Sequence, residues 1–457
     1  MKFRKKLAIG VILALGGLGA GNSVAHAGNT ISGSGSTFIK NLFDACIPDY
    51  NDVNKAGDTV SYSGGGSGAG RTAYKAGTSN FAGTDSSWAT ADEPADFTYV
   101  PLIAGPLAVA YRNSDIRGTL KLKPATLAKI FSGAITNWND ADIAADSGLT
   151  IPSRTIRVVY RSDSSGSSDG FTKYLNATAS SIWTKAGSST FTSSLPGGST
   201  PPGNFVAKSG SDGVTNDVAA NDGAITYVEL SYAKDAAADG VKAASVFNGK
   251  GEYVAPSSVS AGAAVSALPT ANINTTNGWI APDFGTTTTG AYPITIFSFG
   301  IASTKYSASA VAVGDFFDYI LNTCSKAQAA TLGYATLTGA TFTFAKQRLA
   351  KVAATGAPVP STTAAPTTTA APTTTAAATT TTVKPSLKAS VKVGKSVSLG
   401  SLAAAAGLPA PGAKIKVTSG AANCRATAVA VLGLKKGACR VTVTRTGVSR
   451  TVAVTVA

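Results

Sequence analysis

Histidine is nearly missing from this chain of 457 residues: there is one, His26. It falls in a segment that reads as an export leader, with a basic head of Lys2, Arg4, Lys5 and Lys6. An apolar run from Leu7 to about Ala20 follows, then an A-x-A cleavage site at Ala25-His26-Ala27. The run is short for a membrane anchor, so cleavage is expected, with a mature chain starting near Gly28. A mature chain without imidazole cannot build a Ser-His-Asp or Cys-His centre, and histidine metal sites are excluded. An enzyme is therefore not expected, nor a metal, nor a cofactor. Two further absences bear on location. No later stretch is long and apolar enough to span a bilayer, and no cysteine near the cleavage site offers the usual bacterial lipid anchor. The expected product is secreted and extracytoplasmic.

Acidic residues are missing from the last segment, 384–457, which carries twelve Lys or Arg. Four more of the 39 basic residues lie in the leader; the 23 that remain face all 24 Asp and Glu. The formal charge of +15 thus belongs to the ends, and the body is nearly neutral. Nucleic acid is not an expected partner for an exported protein. A cationic end module fits an anionic cell-envelope polymer better. Residues 357–383 are almost entirely Thr, Ala and Pro and read as an extended linker, open to O-glycosylation. The division is 1–27 leader, 28–356 body, 357–383 linker and 384–457 tail domain. The body exceeds the usual size of one domain, so two lobes are expected.

Cysteine is also scarce, at four residues. In an exported chain these suggest two disulfides. Cys424 and Cys439 lie together in the tail, which leaves Cys46 and Cys324 for each other across nearly the whole body. Free buried thiols are the alternative.

The body alternates two periodicities. Phe38–Tyr50, Leu127–Phe131, Phe171–Leu175 and Val311–Cys324 read as helices. Val60–Tyr62, Leu107–Tyr111, Ile156–Tyr160 and Ala224–Val228 read as strands. The alternation predicts an α/β architecture with functional loops at strand ends. In the tail, Ala389–Val393, Lys414–Val417, Arg440–Thr444 and Thr451–Val456 alternate apolar and polar residues, which predicts a small all-β, immunoglobulin-like module. Alanine-rich Leu402–Leu408 does not fit that pattern.

Three Ser/Gly-rich segments stand out: Gly33-Ser-Gly-Ser-Thr37-Phe38, Gly64-Gly-Gly-Ser67-Gly68-Ala-Gly70 and Arg161-Ser-Asp163-Ser-Ser165-Gly166-Ser167. Each precedes a plausible helix, where small hydroxyls, open backbone amides and the helix dipole favour an anion. Arg161 adds a two-pronged donor suited to a tetrahedral oxyanion, and Asp163 reads as the carboxylate that orients it. Gly65–Thr72 approaches the P-loop pattern but has Arg71 where lysine is required. Asp163–Tyr174 approaches a calcium loop but lacks the closing glutamate.

With Phe81-Ala-Gly-Thr-Asp85 added, the set resembles PstS, the phosphate-binding protein of Pst-type ABC importers. The likeness runs over nearly all of 30–355. It includes Trp138-Asn-Asp140, Val158–Gly166, Asp222–Glu229, Tyr292–Thr295 and Phe316–Tyr319. The resemblance implies a type II periplasmic-binding-protein-like α/β fold of two lobes. The first would be about 28–110 and 294–356, the second about 111–293, with the chain crossing twice. Hinges would lie near Ala108–Arg112 and Pro293–Phe297. That topology would bring the helices of Cys46 and Cys324 together. It implies a monomer that binds inorganic phosphate through Thr37, the Phe38 amide, Ser67, Asp85, Arg161, Ser165, Gly166 and Ser167, with Asp163 and Gly68 in support. The implied partner is an ABC permease of the Pst type. A phosphate scavenger or sensor without a permease is the alternative, and a phosphatase-type enzyme a lesser one.

Overall fold

The computed structural model describes residues 28–54 and 56–357, then 388–391, 396–398, 414–419, 424–426, 430–433, 435–445 and 448–456 of the tail. The leader, nearly all of the linker and Leu402–Leu408 lie outside the described residues.

The first lobe opens with β1 (Thr30–Gly35), α1 (Lys40–Val53), β2 (Thr59–Gly64), α2 (Ser67–Lys75) and β3 (Phe81–Thr84), then enters β4 (Phe97–Arg112). The second lobe follows with β5 (Lys121–Leu122), α3 (Pro124–Ser132), α4 (Ala141–Ser147), β6 (Arg157–Arg161), α5 (Gly166–Thr178), α6 (Phe191–Ser194), β7 (Phe205–Lys208), α7 (Gly210–Ala220), β8 (Ala224–Glu229), α8 (Leu230–Asp235), β9 (Lys242–Ala243), β10 (Ser245–Phe247) and β11 (Tyr253–Val254). After α9 (Ser258–Ser266), β12 (Thr295–Ser303) returns to the first lobe, which closes with α10 (Ala308–Tyr319), α11 (Ser325–Leu332) and α12 (Gly339–Leu349).

β4 is the spine of the molecule. It is an almost unbroken apolar run buried along its length, as a strand covered on both faces requires. From Phe97 to Pro106 it pairs antiparallel with β12; from Leu107 to Arg112 it pairs antiparallel with β8. One strand order, β2-β1-β3-β12-β4-β8-β6-β7, therefore threads both lobes. The partner switch falls between Pro106 and Leu107, one residue before the expected hinge at Ala108–Arg112.

Each lobe has its own core. In the first, Phe43, Phe81, Phe299, Phe316 and Phe317 pack around Ile31 and Ile301. In the second, Phe131, Trp138, Phe171, Trp183 and Tyr227 surround Val158 and Ile225. One expected boundary is corrected. Residues 258–282, assigned to the second lobe from sequence, bury Ala261, Val265 and Ile280 in the first-lobe core. The segment is fastened there by Arg348, whose guanidinium donates to the carbonyls of Thr275, Thr276 and Asn277. α9 was missed because Ser258–Ser266 is small and apolar with little sidedness; a capping box between Ser257 and Ser260 starts it.

The helix from Ala308 continues through one π turn, Ile320–Cys324, into α11. That turn carries Cys324 to Cys46 of α1, and the two are disulfide-bonded with Cα atoms 5.8 Å apart. The pairing expected from the sequence is present.

In the tail, β13 (Lys388–Val391), β14 (Ser396–Ser398), β15 (Lys414–Ser419), β16 (Cys424–Ala426), β17 (Ala430–Gly433), β18 (Gly437–Arg445) and β19 (Val448–Val456) form two sheets, ordered β13-β19-β18-β15 and β14-β17-β16. Val441, Val452, Val454 and Val456 are buried, which is the face that period-two alternation reserves for a core. Cys439 is disulfide-bonded; the side chain of Cys424, its expected partner, lies outside the described residues.

Candidate functional site

Four strands deliver their carboxyl ends to one crevice, as open α/β sheets do. β1 is followed by Ser36, Thr37 and Phe38. β3 is followed by Asp85. β6 ends on Arg161 and β8 on Glu229. Two helix starts face the same place: α2 begins at Ser67 and α5 at Gly166, with Ser165 as its N-cap accepting from the Ser168 amide. The Ser/Gly-rich segments, far apart in sequence, meet here. Thr37, Phe38, Ser67, Asp85, Arg161, Ser165 and Ser167 are all 5 % exposed or less.

Asp85 anchors the first-lobe side. Ser298 Oγ donates to its Oδ1 and Ser36 Oγ to its Oδ2, each at 2.5 Å. Ser67 Oγ lies 3.4 Å from Oδ2. Burial pushes the Asp85 carboxyl up to about 6, against the pull of the Ser298 and Ser36 hydrogen bonds, the Arg161 charge and Ser67.

Arg161 anchors the second-lobe side. Its Nε donates to Asp163 Oδ1 at 2.8 Å and its Nη2 to Asp163 Oδ2 at 2.6 Å. Burial works against the guanidinium charge, but Asp163 more than offsets it and the pKa stays above its usual value. Burial likewise works against the Asp163 carboxylate, and Arg161 outweighs it, so that pKa is lowered. Asp163 also accepts from the Gly210 amide at 3.0 Å, which ties the start of α7 into the site.

The lobes touch directly around these groups. The Gly68 amide donates to the Ser164 carbonyl at 2.9 Å, and the Gly166 amide donates to Ser67 Oγ at 3.2 Å. Thr37 Oγ1 and Ser211 Oγ are 2.7 Å apart. Close approach explains two glycines. A β-carbon on Gly68 would fall 2.2 Å from Ser164 Oγ, and one on Gly166 would fall 2.5 Å from the Asp85 β-carbon.

All ten site residues expected from the sequence gather here, with differences of detail. The Phe38 amide donates to Ser36 Oγ at 3.0 Å. Gly68 faces the opposite lobe. Ser167 Oγ is buried without a hydrogen-bond partner among the described residues. Arg71, the residue that spoiled the P-loop match, turns away and donates to the Ser86 carbonyl at 2.7 Å.

Four polar residues of the site were not picked out from sequence. Ser211 sits in Ser209-Gly-Ser-Asp-Gly213, at the start of α7, so the same Ser/Gly-before-helix signature could have found it. Ser36 lies inside the first quoted segment, where nothing singled out its hydroxyl. Glu229 closes the quoted run Asp222–Glu229. Ser298 carries no local signal: it is a serine in a buried strand, at a register shift between β12 and β4.

Comparison with known proteins agrees with this architecture. Residues 20–323 match the family model described as the PBP superfamily domain. The chain is similar to the phosphate-binding protein PstS of Xylella fastidiosa, 34% identical over 312 residues, 67% of this chain and 81% of that protein. It is similar to phosphate-binding protein PstS 2 of Mycobacterium tuberculosis, 35% identical over 230 residues, 48% of this chain. That match spans 59% of the relative's length. Among solved structures, the high-affinity periplasmic phosphate-binding protein PfluDING bound with phosphate aligns with a TM-score of 0.56 at 27% identity, covering 70% of this chain and 93% of that one. Two lobes joined through a shared strand, a polar crevice between them and these alignments lead to one conclusion: the chain belongs to the PBP superfamily and, within it, to the PstS family.

Proposed function

We propose that the body binds inorganic phosphate between its lobes and delivers it to an ABC-type phosphate importer. The observation that carries this reading is the pairing of one salt-bridged arginine with a buried carboxylate, Asp85, in a setting of hydroxyls and backbone amides with one further buried carboxyl, Glu229, behind Ser211. Such a site supplies many hydrogen bonds and little net charge, which suits an anion stripped of water. An ionised Asp85 repels a fully deprotonated anion. It accepts a hydrogen bond from HPO4²⁻ or H2PO4⁻. Sulfate has no proton to offer at neutral pH and leaves the carboxylate unpaired, which an enclosed site rejects strongly.

In this reading Thr37, the Phe38 amide, Ser67, Arg161, Ser165, Gly166 and Ser167 donate to the anion, Asp85 reads its proton, and Asp163 holds Arg161. Binding is the whole activity, without turnover. The leader exports the chain, the tail forms an immunoglobulin-like module, and its twelve basic residues hold the protein to an anionic envelope polymer. No helix among the described residues is long and apolar enough to cross a membrane. Calorimetric titration of ligand-stripped protein tests the reading: one-to-one binding of phosphate and silence with sulfate is the expected result. Folded protein that binds neither would end it.

A further inference from the structure

Glu229 is the one carboxylate of the site with no assigned work. It is fully buried. Its Oε2 lies 3.0 Å from Ser211 Oγ, and its Oε1 has no hydrogen-bond partner among the described residues. Ser211 Oγ in turn is 2.7 Å from Thr37 Oγ1. Arg161 Nη1 donates to Ser211 Oγ at 3.3 Å, and the Ser211 amide donates to Thr37 Oγ1 at 3.3 Å. A line of hydrogen bonds thus runs from Glu229 in the second lobe to Thr37 in the first.

Counting protons along that line separates two states. A hydroxyl has one hydrogen and two lone pairs. If Glu229 is ionised, Ser211 gives its proton to the carboxylate and accepts from Arg161. It must then accept from Thr37, whose only proton is used up inside the protein. If Glu229 is neutral, its Oε2–H donates to Ser211. Ser211 donates to Thr37, and Thr37 accepts from the Ser211 hydroxyl and amide. Its own proton is then free to point at a ligand.

Resting on the phosphate reading, we propose that Glu229 is a positioning residue: as a neutral acid it orients the Ser211 and Thr37 hydroxyls so that Thr37 donates to the bound phosphate. The charge balance agrees. Asp85 and Asp163 already set two carboxylates beside one guanidinium, and a third ionised carboxylate would repel a dianion. An ionised Glu229 would also be a buried charge with Ser211 as its one side-chain hydrogen-bond donor, an expensive arrangement. Burial pushes its carboxyl up to about 8, eased by its own backbone amide, Arg161 and Ser211, and Asp85 pushes it further up. Tyr232 on α8 and Tyr334 after α11 also feel its charge, while Tyr227 on its own strand and Asp163 after β6 act on Arg161, and Asp212 on α7 acts on Tyr232. Each of those tyrosines has its pKa raised, Tyr227 to about 12, so none titrates in the same range.

The test is calorimetry of phosphate binding by the full chain at about pH 9, in two buffers of different ionisation enthalpy, where free Glu229 is mostly ionised. Wild type should take up about one proton per phosphate, and its affinity should fall about tenfold per pH unit above the Glu229 pKa. In Glu229→Gln the amide N–H replaces the acid proton. Whatever its affinity at neutral pH, that variant should take up no proton on binding phosphate, and its affinity should stay flat over the range where wild type falls. Phosphate binding by wild type with no proton uptake overturns the relay by itself, whether or not the variant folds. An alkaline fall in Glu229→Gln equal to wild type also overturns it. Wild type that binds no phosphate at any pH removes the phosphate reading, and the relay with it.

Discussion

A β-carbon on Gly166 would sit 2.5 Å from the β-carbon of Asp85, although the two residues belong to opposite lobes. No side-chain rotation relieves an overlap with a β-carbon, so only separation of the lobes or a shift of α5 can. Gly166→Ala should lower phosphate affinity by about tenfold to a hundredfold, the effect of about 1–3 kcal/mol of overpacking. The melting temperature of the ligand-free protein should change little. Calorimetry and thermal unfolding check both; unchanged affinity would mean that the contact plays no part in binding.

Arg161 and Asp163 are a bidentate pair, with Arg161 almost wholly buried. Arg161→Ala removes the single charge that attracts the anion and strands Asp163, at a cost of about 3–5 kcal/mol. Phosphate binding should become undetectable by calorimetry. Asp163→Ala leaves Arg161 in place but unguided, and should weaken binding by a smaller factor. A larger loss in Asp163→Ala than in Arg161→Ala would reverse the assigned roles.

Asp85→Asn tests both selectivity and stability. An amide can donate where the carboxylate could only accept, so discrimination against sulfate should shrink by orders of magnitude. For stability, the folded pKa of about 6 lies above the ordinary 3.8. Between those values the folded state binds more protons, so this group's contribution worsens as pH rises through the window. The full cost, about 2–3 kcal/mol, is present above pH 6. Asp85→Asn should therefore unfold at a higher temperature than wild type at neutral pH, and the gain should vanish near pH 4. A gain that persists in acid would mean that the ionised carboxylate is not its source.

The Cys46–Cys324 bond closes a separation of 278 residues. Replacing both cysteines by serine should lower the stability of the first lobe by up to about 5 kcal/mol, because closing so long a loop constrains the unfolded chain. Neither cysteine touches the crevice, so phosphate affinity at low temperature should be kept. Thermal unfolding read beside calorimetry separates the two effects.

Much of the site is legible in the sequence because an anion is held by local chemistry. Ser/Gly segments before helices carry their amides and hydroxyls wherever they are placed, and Arg161-Ser-Asp163 holds its ion pair within three residues. The residues that escaped act across the fold. Ser298 meets Asp85 only because β12 returns beside β3. Ser211 and Glu229 matter only where α7 and β8 face Thr37. Period-two and helical patterns located β2, β6, β8 and the second half of β4 but not β1, β3, β7 or β12, and the lobe bounds implied by the family likeness assigned 258–282 to the wrong lobe. Its few buried apolar residues, Ala261, Val265 and Ile280, have no property that names the core they will join.

The sequence by itself determined the alternation of strand and helix, the Ser/Gly-rich character of the loops before the helices, and the likeness to the PstS family. These depend on residue type and short-range spacing. Only the tertiary structure decided which hydroxyls face Asp85, where β4 changes partners, and that a buried glutamate stands behind Thr37. Those outcomes depend on the distance between atoms far apart in the chain, and on the removal of water from charges that would be ordinary in solution.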